Sequence, residues 1–134
     1  MKRQIAAATA ALVAICLPTL VSAADGLNYK DLIHCAATNI VVASVLSLDD
    51  GETKNKTEID TYRTQAAALM VVATLGSNKD SKAVQEDVSK ESDALIGVIG
   101  DNKQSKAFIE TDVPTCNNLG QAAVEVMNEA KAGK

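Results

Sequence analysis

The sequence predicts an all-α protein, a small four- to five-helix bundle tied by one disulfide. Three observations predict it. Residues that start and stop helices recur at helix-length intervals. The apolar residues between them return every three or four positions, the spacing of one helix face. No stretch alternates apolar and polar residues as a half-buried strand would, and no hairpin signal breaks the pattern.

The first residues predict the compartment. A short basic start, "MKRQ", leads into the small-residue-rich apolar run "IAAATAALVAICLPTLVSA", which Pro18 interrupts. The run ends in "VSA", a small-residue cleavage signal. Residues 1–23 are read as a signal peptide, cut after Ala23, and residues 24–134 as a single helical domain. A lipoprotein would need a small residue before its cysteine, and Ile15 precedes Cys16. No other segment is long and apolar enough to span a bilayer, so no membrane anchor is expected. The protein is expected to be periplasmic or secreted, from a bacterium.

The first helix is placed at 28–48. Asn28 can cap it, and Asp31 can reach back in the manner of a capping box. The second is placed at 57–75, with Thr57 as cap and Asp60 three residues on. The third is placed at 79–99, with Ser77 and Asp80 as the pair. The last is placed at 103–131, with Asp101 and Gln104. Gly51, Gly76, Gly100 and Gly133 sit at the far ends, where glycine can take the left-handed conformation that ends a helix. "GSN" and "GDN" are very short joints, so neighbouring helices should run antiparallel. "DDGETKNK" is the one longer loop. Pro114 disfavours helical geometry at Val113 and removes a donor. The last helix is therefore expected to split into 103–111 and 114–131, with Asp112 as a possible second cap.

Cleavage would leave two cysteines, Cys35 and Cys116. Two cysteines in an exported chain usually pair, so a Cys35–Cys116 disulfide is expected. After the split the last helix could begin beside the first half of helix one. Leu32, Cys35, Cys116 and Leu119 would then share one packed cluster.

Charge and motifs bound the function. The net charge is −4; loss of Lys2 and Arg3 makes the mature chain more acidic still. No basic cluster is present to hold nucleic acid or an anionic membrane. The loop "DDGETKNK" has acids and a glycine, but not the spacing of an EF-hand, and reads as a solvated loop. His34, Met70 and Met127 are candidate haem or metal ligands, as in exported bundles of the cytochrome b562 kind. The order of histidine and methionine is reversed here, and no C-x-x-C-H motif is present. The preferred reading therefore assigns no metal and no cofactor, and keeps a haem or metal carrier as the alternative.

An enzyme is not expected. Asp60, Arg63, Glu91 and Asp93 form no recognisable constellation, and Asp60 with Arg63 reads as a surface ion pair one helix turn apart. Asn39 lies among apolar neighbours and is expected to fix helix register rather than to bind a ligand. "NKT" at Asn55 fits a glycosylation acceptor, which a bacterial protein would not use.

The plan of export signal, bundle and first-to-last disulfide resembles small periplasmic immunity proteins and small acid-stress chaperones. The likeness is one of plan, and carries over no residue role. The function expected is a binding module that contacts another protein. "IVVASVLSL" and "AAALMVVA" are more apolar than one helix face requires. The plain reading is that both helices are central in the bundle; the sharper one is that part of this surface meets a partner or a second copy, as a weak homodimer or through an exposed groove between helices one and two.

Overall fold

The computed structural model describes residues 28–133; the expected signal peptide and its cleavage site lie outside them. In chain order the elements are α1 (Tyr29–Leu46), the single turn α2 (Gly51–Lys54), α3 (Lys56–Leu75), α4 (Ser81–Ile99) and α5 (Asn102–Ala107). A π-helical turn (Phe108–Asp112) then leads directly into α6 (Val113–Ala132). The protein is an all-α bundle with no strand among the described residues, and a Cys35–Cys116 disulfide ties α1 to α6, with Cα atoms 4.7 Å apart.

α1 is the central helix. Cys35, Ala36, Ala37, Thr38 and Asn39 are buried in succession, so more than one face is covered. It packs against α3, α4 and α6. Small side chains make this possible, because alanines on facing helices let the backbones approach closely. Fewer large residues remain to fill the core, and Ile59, Leu69, Val84 and Phe108 supply much of its volume. Full burial of a side chain such as Leu69 is worth about 1.5–3 kcal/mol. α3 is more one-sided than "AAALMVVA" suggests: Ala66, Ala68, Leu69 and Ala73 are buried, while Val71 and Leu75 face outward.

The helix starts follow side-chain chemistry at three places. Asn28 and Asp31 form a full capping box. Asp80 accepts from the Ala83 N–H, so α4 starts at Ser81 with Asp80, not Ser77, as its cap. Asp101 accepts from the N–H groups of Lys103 and Gln104. Thr57 is not a cap; α3 begins one residue earlier, at Lys56, with no side-chain cap bond.

The helix ends correct the glycine reading. Gly76, Gly100 and Gly133 do occupy C-cap positions, but with negative φ. The left-handed residue is Asp49, at φ 56°. It lies between Leu46, where α1 ends, and α2. Gly51 is needed for a different reason: a Cβ there would fall on the carbonyl oxygen of Leu46.

The expected split at Pro114 does not occur. The chain stays helical from Asn102 to Ala132, and Val113 itself is right-handed helical (φ −61°, ψ −50°). In a regular α-helix the proline ring would strike the carbonyl four residues back, and one N–H would be missing. Here the preceding turn is widened, and the Val113 N–H bonds to the Phe108 carbonyl, five residues back. Asp112 is helical and makes no cap bond. The cluster foreseen for the split chain nevertheless forms: Leu32, Cys35 and Cys116 are buried in one core, with Leu119 packed against it.

Candidate functional site

Two adjoining apolar grooves lie at one end of α1. Val41, Ser44, Val45, Leu48, Ile96 and Ile99 line one, of about 170 Å³. The other, about 220 Å³, continues from Val41, Val45 and Ile99 across Val42 and Leu46 to Ser105, Phe108, Ile109 and Val113. Ser44 and Ser105 are the polar residues among the lining, and the Ser44 hydroxyl is turned back to the Ile40 carbonyl. Val45, Leu48, Ile96 and Ile109 remain 49%, 65%, 60% and 62% exposed.

Local sequence accounts for this face. Val41, Val45 and Leu48 follow one another at four and three residues, a stripe along one side of α1 and the turn beyond it. α4 brings Ile96 and Ile99 alongside. The π turn buries Phe108 and leaves its neighbour Ile109 exposed. The apolar excess expected over 40–48 thus does reach the surface. The groove expected between the first two long helices is instead walled by α1, α4 and the α5–π–α6 helix, because Ala66, Ala68, Leu69 and Ala73 turn inward.

Three polar clusters brace the bundle. The first centres on His34. Its Nδ1 lies 2.9 Å from Glu91 Oε1 on α4, and its Nε2 lies 3.4 Å from Asp112 Oδ2 on the π turn. A neutral ring carries one N–H and can serve one of these carboxylates; a doubly protonated ring serves both. Asp112, read from sequence as a cap, instead faces the His34 ring. Glu91, named among the enzyme candidates, holds the same ring, while Asp93 is exposed.

The second cluster is a buried chain of amides. Asn39 donates to Gln65 (3.3 Å), and Gln65 donates to Asn117 (3.0 Å), linking α1, α3 and α6. Asn39 and Gln65 are 0% and 2% exposed. Asn39 therefore has the buried position the sequence predicted. Gln65 was missed, because one glutamine in a mostly polar turn gives no signal of burial.

The third cluster lies at the opposite end of α1. The Tyr29 hydroxyl donates to Asp87 Oδ2 (2.8 Å), and Lys79 Nζ reaches the same oxygen at 2.6 Å while sitting 4.6 Å above the Tyr29 ring. The Lys79 ammonium, and then the Tyr29 hydroxyl, hold the Asp87 carboxyl below its ordinary range. Burial, and then the Asp87 hydrogen bond, raise the Tyr29 phenol.

The remaining sequence candidates lie apart from one another. Asp60 pairs with Lys56 (2.8 Å) and Arg63 with Glu52 (3.3 Å), so the expected Asp60–Arg63 pair gives way to two others. In "DDGETKNK", Asp50 pairs with Lys54 at 2.8 Å, and the Asn55 amide donates to the Leu46 carbonyl. The loop is thus a folded turn closing the end of α1. Met70 and Met127 pack on the apolar core, and both nitrogens of His34 already face carboxylates. That arrangement gives no support to a histidine–methionine haem pair. Among the described residues no group of three or more His, Cys, Asp or Glu side chains is placed to hold a metal ion.

The geometry defines a disulfide-tied helical bundle with an apolar face at one end of α1 and polar clusters that link its helices. Compared with known proteins, the chain matches no family model, no curated protein and no solved structure.

Proposed function

We propose that the protein is an exported binding module that acts by contact with another protein through the apolar face of α1, α4 and the π turn. The observation that carries this reading is the cluster of Val45, Leu48, Ile96 and Ile109, four large apolar side chains exposed side by side along two grooves. Scattered apolar residues are normal on a surface, whereas a contiguous rimmed patch marks a contact site. The grooves favour a protein over a small ligand. Each is smaller than the roughly 300–1,000 Å³ of small-molecule sites, and neither gathers the few convergent polar groups that orient a ligand. Each is suited to an inserted side chain.

Export rests on the basic and apolar start of the chain and its "VSA" signal. A disulfide in the folded domain is compatible with an oxidising compartment, and among the described residues no helix is long and apolar enough to cross a membrane. The acidic net charge favours encounter with a basic partner. In this reading the chain performs no chemistry of its own.

The test is capture with matched variants. Wild-type protein, cross-linked in periplasmic extract of the source cell, should capture one defined protein. Val45→Asp and Ile109→Asp should lose it, while Leu75→Asp, which changes a side chain 80% exposed and outside both grooves, should keep it. Equal capture by all four proteins, or capture by none, refutes the reading.

A further inference from the structure

We propose that His34 is a pH-sensitive latch. With both ring nitrogens protonated it ties α1 to α4 and to the π turn together; with one proton lost it keeps α4 and releases the π turn. The latch is independent of the contact-site reading and concerns how firmly the π turn is held. Its geometry sets two acceptors against one ring. Nδ1 lies 2.9 Å from Glu91 Oε1, and Nε2 lies 3.4 Å from Asp112 Oδ2. A doubly protonated ring presents an N–H to each carboxylate. A neutral ring presents one N–H and turns a lone pair on the other. Glu91 has the closer contact, so the neutral ring keeps its proton on Nδ1, and Asp112 then faces the lone pair of Nε2.

No other side chain is placed to do this. His34 is the only histidine of the chain, and histidine is the side chain whose ordinary charge change falls between about pH 5 and 8. Among the described residues neither Glu91 nor Asp112 has another basic partner. On α1, Lys30 is exposed one turn before the ring, and the Asp31 carboxylate accepts from the Asn28 N–H. On α4, Asp87 is held by Lys79 and Tyr29, and Lys90 is exposed beside Glu91. On the segment before Asp112, Lys103, Lys106 and Glu110 are exposed. Asn39 meets Gln65 of α3, so His34, five residues earlier, is level with the stretch of α3 beyond Gln65, which carries no ionisable side chain. α6 carries none before Glu125, because Cys116 is in the disulfide.

Asp112 ends the π turn. Phe108 and Ile109 of the same turn, and Val113 after it, line the larger groove. The disulfide anchors α6 at Cys116, so release acts on the turn before it. A contact made by the doubly protonated ring is present below the histidine range and lost as pH rises through that range. The side chains of His34, Glu91 and Asp112 are 32%, 37% and 39% exposed. Water therefore screens the contacts, and the effect is local: a change of about two- to fivefold in how often the turn opens, the scale of a partly exposed ion pair.

The test is amide hydrogen exchange of the full purified protein at about pH 5.5 and about pH 8, on either side of the middle of the histidine range, each corrected for the intrinsic exchange rate. The amides of 107–113 should open about two- to fivefold more often at the higher pH, while those of 66–73 in α3 keep their protection. His34→Gln should remove the difference, because its side chain does not titrate. Asp112→Asn should remove it too, because an amide can accept from the protonated ring and donate to the neutral one. Nitrogen NMR of the wild-type ring gives a second readout that needs no variant: at the higher pH the remaining proton should sit on Nδ1, beside Glu91. Equal opening of 107–113 at both pH values overturns the proposal. So does a difference that persists in His34→Gln, or a neutral ring with its proton on Nε2. The wild-type measurements decide the matter even where a variant fails to fold, and their failure leaves the capture experiment and the proposed function untouched.

Discussion

Gly120 is where the packing makes its sharpest demand, and Gly120→Ala tests it. A Cβ added there would lie 2.7 Å from Gln65 Cβ, 2.9 Å from Gln65 Oε1 and 3.0 Å from Asn39 Nδ2. Gln65 and Asn39 are buried and hydrogen-bonded to each other, so neither can swing into solvent. Overpacking a tight core costs about 1–3 kcal/mol. Separating the buried amides would leave a polar group unsatisfied, at about 1–3 kcal/mol more. Against this, alanine in a helix interior gains about 0.5–1 kcal/mol over glycine. The net expectation is a loss of about 1–5 kcal/mol, and at about 4–8 °C per kcal/mol a fall in Tm on the order of 5–40 °C.

Gly97 supplies the control. It too lies inside a long helix, but a Cβ there would meet nothing within 4 Å. Gly97→Ala should therefore stabilise by about 0.5–1 kcal/mol. Thermal and denaturant unfolding followed by far-UV circular dichroism reads both variants. A further arm separates the clash from the hydrogen bonds. Gln65→Ala removes the amide but keeps the Cβ that stands nearest, so Gly120→Ala should remain destabilising in that background. If Gly120→Ala proves as stable as the parent while Gly97→Ala gains, then α6 does not approach α3 as described, and the reasoning fails.

The remaining predictions concern the disulfide, the caps and pH. Thiol labelling of denatured, exported protein should find no free thiol, and reduction should lower Tm clearly. The tied residues are 81 apart in sequence, for which the chain-entropy model gives about 4–5 kcal/mol as an upper figure; an unchanged Tm would refute that role. Asp80→Ala should cost about 1 kcal/mol by removing the bond to the Ala83 N–H, while Thr57→Ala, which loses no cap, should change stability by less than about 0.5 kcal/mol; equal losses would contradict the two helix starts. Asp87 titrates below the ordinary carboxylate range in the folded protein, so its stabilising contribution is present above that range and lost as pH falls through the depressed value. Asp87→Asn should accordingly flatten the acid limb of a stability–pH curve below about pH 4, and a curve parallel to the parent's would count against the Lys79–Asp87–Tyr29 contact.

Much of the fold was legible because helix signals are local. Asn28, Asp80 and Asp101 sit next to the backbone groups they satisfy, and the apolar spacing needs only one face of one helix. The disulfide was legible from a count of cysteines and a compartment. What could not be read depends on where distant helices meet. His34 stands 57 residues from Glu91 in sequence, and no spacing rule joins them. Asp60 and Arg63 were paired by proximity along one helix, yet each finds a partner better placed in space. Central burial is the plain reading of both apolar runs, and it holds over most of 66–73, where small residues let α3 lie close against α1; the run over 40–48 departs from it at Val45 and Leu48, which reach the surface.

Pro114 shows how one such misreading bears on the face itself. Proline in a helix conflicts with the carbonyl four residues back, and sequence offers a break as the simple remedy. The chain uses another, a wider turn. A π turn adds about one residue to a helical turn and shifts everything beyond it by roughly 100° around the axis. Phe108 enters the core on one side of the turn, and Cys116 enters on the other to meet Cys35. Asp112, between them, reaches His34. With both sides of the turn anchored, Ile109, one residue round from buried Phe108, is held on the outside. The exposed end of the apolar face therefore sits on the turn by which the helix accommodates its proline. Its position is held by a disulfide and a histidine–carboxylate contact that the face itself does not contain.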